Sequence, residues 1–264
     1  MRSKLPNRET CYGEIQNKKL KEFYLVIQVV TIEMMIGAKP VLETSKIYIM
    51  YGIDILGVKN IIGIYKEDTD NTRFWLNEIE KIKTRGLKKV AYVSLENNNR
   101  LEQAFKIVYN PEIRLSINER IERIAKYTQK KYASAGEQEI IRAYLSETLE
   151  EYTKLMNEIE NKYKENAIGI LLIKKLREQT DKDMKEPREI RHIINSYVTK
   201  RKIKDRMRKL SREYEEIVSI EDLVNKSKEY FSMFERTRIY SKAEWTNILN
   251  EVYKKKGYEI QEYI

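Results

Sequence analysis

An α/β fold, built on a five-stranded mixed sheet and followed by a long helical region, is predicted by three observations. The first 120 or so residues alternate between short β-branched or aromatic runs and stretches of helical period. From Asn118 onward the period is almost wholly helical. Chain breakers are scarce, with 9 Gly and 4 Pro among 264 residues, while Lys, Glu, Ile and Leu abound. A chain of this length buries a genuine core.

Each element follows from local chemistry. Phe23–Ile32 (FYLVIQVVTI) is rich in β-branched and aromatic residues and too short for a typical buried helix. Lys46–Ile55 and Val58–Tyr65 read as the next two strands, with Leu56-Gly57 as the tight turn between them. A helix is then expected: Asp70 is a plausible N-cap, Trp75, Ile79 and Ile82 stand at i, i+4 and i+7, and Gly86 supplies a C′ stop. Lys88–Leu95 reads as a strand, Arg100–Val108 as a short helix closed by Asn110-Pro111, and Glu112–Ile117 as a fifth strand. Three hairpin-connected strands followed by helix, strand, helix and strand make a mixed sheet in an α/β layer.

Beyond this point helices are expected over Asn118–Lys131, Glu137–Tyr163, Ile168–Glu178, Arg188–Glu213, Ile220–Phe234 and Ala243–Lys255. Ala133-Ser134-Ala135-Gly136 is the best break, and Pro187 marks a helix start. The organisation expected is a leader over 1–19, a core over 20–117, a helical insertion over 118–187, and C-terminal helices over 188–264 that complete the core. No internal repeat or low-complexity linker interrupts it.

Composition excludes several classes. Cys11 is the single cysteine, so neither an internal disulfide nor a CxxC metal or redox motif is available. His192 is the single histidine, which excludes a multi-His metal site. The opening segment has no apolar h-region, so no secretory signal is read and a cytoplasmic product is expected. The most apolar stretch, Phe23–Ile36, is interrupted by Gln28, Thr31 and Glu33, and it falls short of the ~20 residues a membrane span needs. The 19 tyrosines fit the Lys- and Ile-rich bias of an AT-rich genome and carry no functional weight.

The formal charge is +10, and it is concentrated. Between Arg188 and Arg212 stand ten basic and two acidic residues. Phosphate backbones are the usual partner of such a stripe, through counterion release. Lys200, Arg201, Lys202, Lys204, Arg206 and Arg208 are the candidate DNA contacts. The bland alternative is a solvated helix balanced by acids such as Glu147, Glu150, Glu151 and Glu158.

One stretch carries a resemblance. Gly52-Ile53-Asp54, Gly63, Phe74-Trp75, Arg85-Gly86-Leu87, Ala104 and Pro111 occur in this order, and Glu186-Pro187-Arg188-Glu189-Ile190-Arg191 with Ile194-Asn195 follows further on. The set resembles the core of the mutator-type transposases of bacterial insertion sequences, over about Leu20 to Arg212. The resemblance implies a ribonuclease-H-like fold with a helical insertion after the fifth strand. It also implies DNA strand transfer by three carboxylates that hold two Mg²⁺ ions, hard cations suited to oxygen ligands.

The departures from that pattern matter most. The family's first Asp falls on Glu33, its second on Glu96, and its Glu on Val198, while its Cys-x-x-His falls on Ser116 and Glu119. Glu33 and Glu96 are thus the candidate catalytic residues and Mg²⁺ ligands, each one methylene longer than the family's Asp. A displacement of about 1 Å at a reacting centre can cost roughly 100-fold in rate. Val198 cannot ligate a metal, and Asp205 lies two turns along the same helix, roughly 10 Å away. The DNA-binding region that precedes the core in this family is expected to be missing.

Three functions stay open on the sequence. One is a catalytically impaired transposase-like DNA-binding protein; another is an active enzyme using Glu33, Glu96 and Asp205. The third is an interaction module whose helices after Asn118 mediate self-association or partner binding without DNA. Glu33 also reads as a solvent-facing strand acid, Glu96 as a loop acid, Trp75 as core, His192 as a helix residue and Cys11 as an incidental thiol.

Overall fold

A computed structural model of the protein describes residues 11–67, 72–96, 98–127, 130–238 and 240–257. The chain divides into two compact units. The first joins the residues up to Arg114 with Val198–Tyr240, and the second joins Leu115–Tyr197 with the segment from Ser241.

The first unit is organised by a five-stranded sheet in the order β3-β2-β1-β4-β5, with β1 Phe23–Ala38, β2 Val41–Ile53, β3 Lys59–Lys66, β4 Lys89–Leu95 and β5 Glu112–Leu115. β1 pairs antiparallel with β2 and parallel with β4, and β2 pairs antiparallel with β3, so the sheet is mixed. The first two strands run longer than their apolar runs predict. Past Gln28, β1 has β2 beside it but no β4, and its burial alternates over Ile32, Met34 and Ile36 against exposed Glu33 and Met35. Asp54, buried at the β2–β3 turn, accepts from the Leu56 and Val58 amides at 2.9 Å each and fixes the hairpin.

Helices cover both faces. On one face α2 Thr72–Thr84 and α3 Asn99–Val108 bury Trp75, Ile79, Ile82, Leu101 and Phe105 against Val29, Tyr48, Met50 and Val93. The Trp75 indole is fully buried, donates to Glu67 Oε1 at 2.9 Å and stands edge-on to Tyr48, so it is a core residue. On the other face lie α9 Tyr197–Glu213 and α11 Lys228–Glu235, the latter placing Phe234 edge-on to Tyr51. α1 Cys11–Asn17 and α10 Ile220–Lys226 pack at β3. Asp70, the expected cap of α2, lies outside the described residues; Gly86 closes the helix at φ +112° as expected. Gly52 is required for another reason: a Cβ there would meet the Tyr24 ring at 2.5 Å.

The second unit is helical: α4 Asn118–Tyr127, α5 Lys130–Tyr144, α6 Leu149–Tyr163, α7 Ala167–Asp183, α8 Arg188–Ile194 and α12 Lys242–Lys256. Ile121, Ile140, Tyr144, Tyr152, Met156, Ile173 and Leu176 form its core. Several expected boundaries move. Ala133–Gly136 is no break but lies inside α5, where Gly136 leaves room for the Tyr163 hydroxyl. The expected helix over 137–163 divides instead at Thr148, whose hydroxyl accepts from the Glu151 amide. The expected helix over 188–213 is interrupted at Asn195-Ser196. The one over 220–234 is interrupted at Ser227, so it becomes α10 and α11. Among the described residues no helix is long and apolar enough to cross a membrane.

Buried Arg191 ties α8 to the end of α5. Its guanidinium donates to the backbone oxygens of Glu186, Tyr144 and Ser146. This is why Arg191, counted in the basic stripe, contributes nothing to an outer charged surface.

Candidate functional site at the end of β4

The C-terminal end of β4 gathers charged groups in an otherwise apolar layer. The α9 positions Lys200, Ile203, Lys204, Met207 and Leu210 recur at helical spacing and all are buried, so the two lysines lie on the helix face turned toward the sheet. Lys204 Nζ lies 2.8 Å from Glu96 Oε1, with side-chain exposures of 6% and 12%. Lys200 is fully buried and donates to Ser94 Oγ at 3.1 Å. Burial lowers the Lys200 ammonium to about 7; the Lys204 charge adds to that fall and Glu96 opposes it. Glu96 is thus paired directly with Lys204, and its charge also acts on Lys200, which is hydrogen-bonded to Ser94.

Across from Ser94 in the parallel β1–β4 ladder stands Gln28, also fully buried. This is the β1 position from which a side chain reaches the end of β4, and it carries an amide. The sequence marked it only as a lone polar residue inside FYLVIQVVTI. On the opposite face, Asn98 caps α3 by accepting from the Leu101 amide and donates to the Tyr48 hydroxyl at 3.2 Å. Burial and the Glu67 carboxylate raise Tyr48 well above the ordinary phenol range, so it stays protonated.

The expected pairing of Glu33 with Glu96 does not form. Glu33 lies five residues beyond Gln28 on β1, roughly 16 Å along the strand. The odd separation also puts it on the other face of the sheet, where it is exposed with Lys46 as its cross-strand neighbour. The physical reason is that β1 continues past the end of β4 instead of stopping level with it. Val198 is exposed in the first turn of α9. Asp205 is exposed too and is engaged by Arg201 at 3.8 Å and Arg208 at 3.2 Å.

These residues do not fit a divalent-cation cage. Magnesium needs several oxygen ligands in near-octahedral array. Here the carboxylate already faces an ammonium, a second ammonium stands beside it, and the neighbouring strand offers an amide. Among the described residues no group of three or more His, Cys, Asp or Glu side chains is placed to hold a metal.

The expected DNA contacts divide in two. Lys200 and Lys204 are withdrawn from that list, because burial against β4 removes their charge from any external partner. Arg201, Lys202 and Arg208 are exposed and Arg206 half-exposed. Part of that charge is balanced on α9 itself, by Asp205 and by Glu213, which takes Arg206 at 3.4 Å and Lys209 at 3.3 Å. The signal for the inward lysines was present in the sequence: they share the stripe of Ile203, Met207 and Leu210.

A mixed sheet covered on both faces, with a second helical unit entered after the fifth strand, places the protein among layered α/β proteins that carry helical insertions. The chain belongs to the Mutator family of transposases, whose family model matches residues 8–220. It is similar to a probable transposase for an insertion sequence element of Corynebacterium diphtheriae, 26% identical over 36% of this chain and 27% of that protein. It is also similar to a probable transposase for an ISRM3-like element of Sinorhizobium fredii and to the transposase for insertion sequence element ISRM3 of Rhizobium meliloti. Each is 24% identical over 37% of this chain and 24% of the relative. The matched stretch spans about a quarter of the length of these relatives.

Proposed function

We propose that this chain is a DNA-binding member of the transposase family on a ribonuclease-H-like scaffold, with its strand-transfer chemistry lost. The observation that carries the reading is the Lys204–Glu96 ion pair at the end of β4, with Lys200 buried beside it. In-line displacement at phosphorus by the two-metal route needs carboxylates that converge on cations. Among the described residues, an ammonium against the carboxylate that reaches this place takes over the role of the cation and leaves no ligand set for a metal. The order of strands and the helical unit after the fifth strand support the scaffold assignment.

DNA is the partner this reading supports, through the outer side of α9, where Arg201, Lys202, Arg206 and Arg208 stand. The test has two arms. Binding of duplex DNA by the whole chain should fall steeply with salt, and no Mg²⁺- or Mn²⁺-dependent nicking of terminal-repeat DNA should occur. Cleavage that disappears in Glu96→Ala would overturn the loss of chemistry, and affinity indifferent to salt would overturn the DNA reading.

A further inference from the structure

The first unit holds a cavity of about 570 Å³ that the site at β4 does not use. It is bounded by α1, the far end of β1, β3, α2 and the start of α10, and its size is that of a small-molecule site. Two half-buried rings, Tyr12 and Phe74, form part of its wall. Gln16 holds the first by donating to the Tyr12 hydroxyl at 3.1 Å. Trp75 stands edge-on to the second, with ring centres 5.0 Å apart. Both rings are therefore positioned by the fold itself.

Three cations line the same cavity: Lys66, Lys81 and Arg85. Lys66 is paired with Glu43 and Lys81 with Glu78, each at 2.6 Å. Glu43 is 62% exposed and Lys81 is 66% exposed, so water already weakens both pairs and an incoming anion can compete for the ammoniums. Arg85 differs. It is half-buried and donates to the backbone oxygens of Lys18 and Ile15 at 3.0 and 2.9 Å, and among the described residues no carboxylate neutralises it. Glu78 is the one acid among the lining residues. Aromatic faces beside a net positive rim match a planar base that stacks and a phosphate that balances the charge. The Asn17 amide, also on the lining, offers a donor and an acceptor to a base edge.

We propose that this cavity binds a nucleotide, with the base against Tyr12 and Phe74 and the phosphate against Lys81 and Arg85. The nucleotide is either an unpaired residue of a nucleic-acid strand or a free mononucleotide. The inference goes beyond the reading of α9 and uses none of its residues.

The experiment is calorimetric titration of the whole chain with dAMP, deoxyadenosine, inorganic phosphate and a single-stranded hexamer of deoxyadenylate. In the wild type, deoxyadenosine and phosphate should each bind at least about ten-fold more weakly than the nucleotide, because each lacks half of the recognised group. Phe74→Leu keeps the apolar wall and removes the stacking ring; it should weaken nucleotide binding by about ten-fold. Lys81→Gln, at an exposed position, should weaken it by about three- to ten-fold and lower the salt slope of hexamer binding by about 0.7. Lys81→Arg should recover most of both. Thermal unfolding shows whether each variant is folded, and Tyr12→Leu replaces Phe74→Leu if that protein is not.

Binding of the hexamer alone upholds the site for an unpaired nucleotide of a strand, and binding of dAMP upholds it for a free nucleotide. No binding of either by the wild type overturns the proposal. So does phosphate binding as tightly as dAMP, or affinity unchanged in a folded ring variant or in folded Lys81→Gln. Each of these leaves the α9 reading standing, because duplex affinity and its salt dependence decide that separately.

Discussion

Replacing Glu96 with glutamine removes the carboxylate paired with buried Lys204, whose charge also acts on buried Lys200, and its cost follows from that arrangement. Breaking a buried ion pair from one side costs about 3–5 kcal/mol, because the partner is left as an uncompensated charge. Glu96 keeps 12% side-chain exposure, so water relieves part of this and about 2–4 kcal/mol is the expected loss. Lys204→Met differs in kind: Glu96 then faces Lys200 alone, one charge against one, and the methionine retains most of the apolar stem. Its expected cost is about 1–2 kcal/mol. At roughly 2–4 °C per kcal/mol for a protein of this size, Glu96→Gln should lower the unfolding temperature by about 4–16 °C. The double variant Glu96→Gln with Lys204→Met should be more stable than the sum of the single losses by about 1–3 kcal/mol. Calorimetry of the four proteins supplies every number. Additive losses, or a larger loss for Lys204→Met than for Glu96→Gln, would refute that arrangement.

Further outcomes follow from the same geometry. Lys200 near 7 and Lys59 near 8 both sit below the ordinary lysine value, so the unfolded chain binds more protons between about pH 7 and 10, and stability should rise with pH across that window. Urea unfolding at pH 6.5 and pH 9 should show the rise, and Lys200→Met should flatten it. Arg191→Lys should destabilise the helical unit by about 3 kcal/mol, because an ammonium cannot fork to three carbonyls as a guanidinium does. Circular dichroism melts read it, and a neutral result would contradict the tie between α8 and α5. Neutralising Arg201 and Arg208 should weaken DNA binding alike across sequences, whereas Lys200→Met should alter stability and leave the salt slope of DNA binding unchanged. Gly52→Ala should cost about 1–3 kcal/mol, since its methyl enters the Tyr24 ring.

Much of the sheet was legible because its strands are dense β-branched runs between breakers. Lys59–Lys66 and Lys89–Leu95 lie within a residue or so of where their composition puts them. β1 and β2 exceeded their apolar runs because a strand with one partner needs only alternation, and Glu33 and Met35 read as an ending. Helix breaks without Gly or Pro, at Thr148 and Asn195, were harder. Thr148 with Glu151 three residues on was a readable cap, while Asn195 offers only a weak helix propensity. At the site, Glu96 was found because the family resemblance sets its second carboxylate there, just past a strand. Its partner was missed because a lysine inside a run of lysines looks like solvent-facing charge, and only helical phase separates Lys204 from Arg201. Glu33 was misplaced because aligning residues along a strand does not reveal where a neighbouring strand ends.

Glu96 is held by a lysine, and on the reading proposed above it holds no metal. The most direct measurement is a Mn²⁺ titration of the whole chain followed by electron paramagnetic resonance, in wild type and Glu96→Gln. Both proteins should leave the Mn²⁺ signal equally unattenuated. A stoichiometric Mn²⁺ site in the wild type that disappears in Glu96→Gln would contradict that reading.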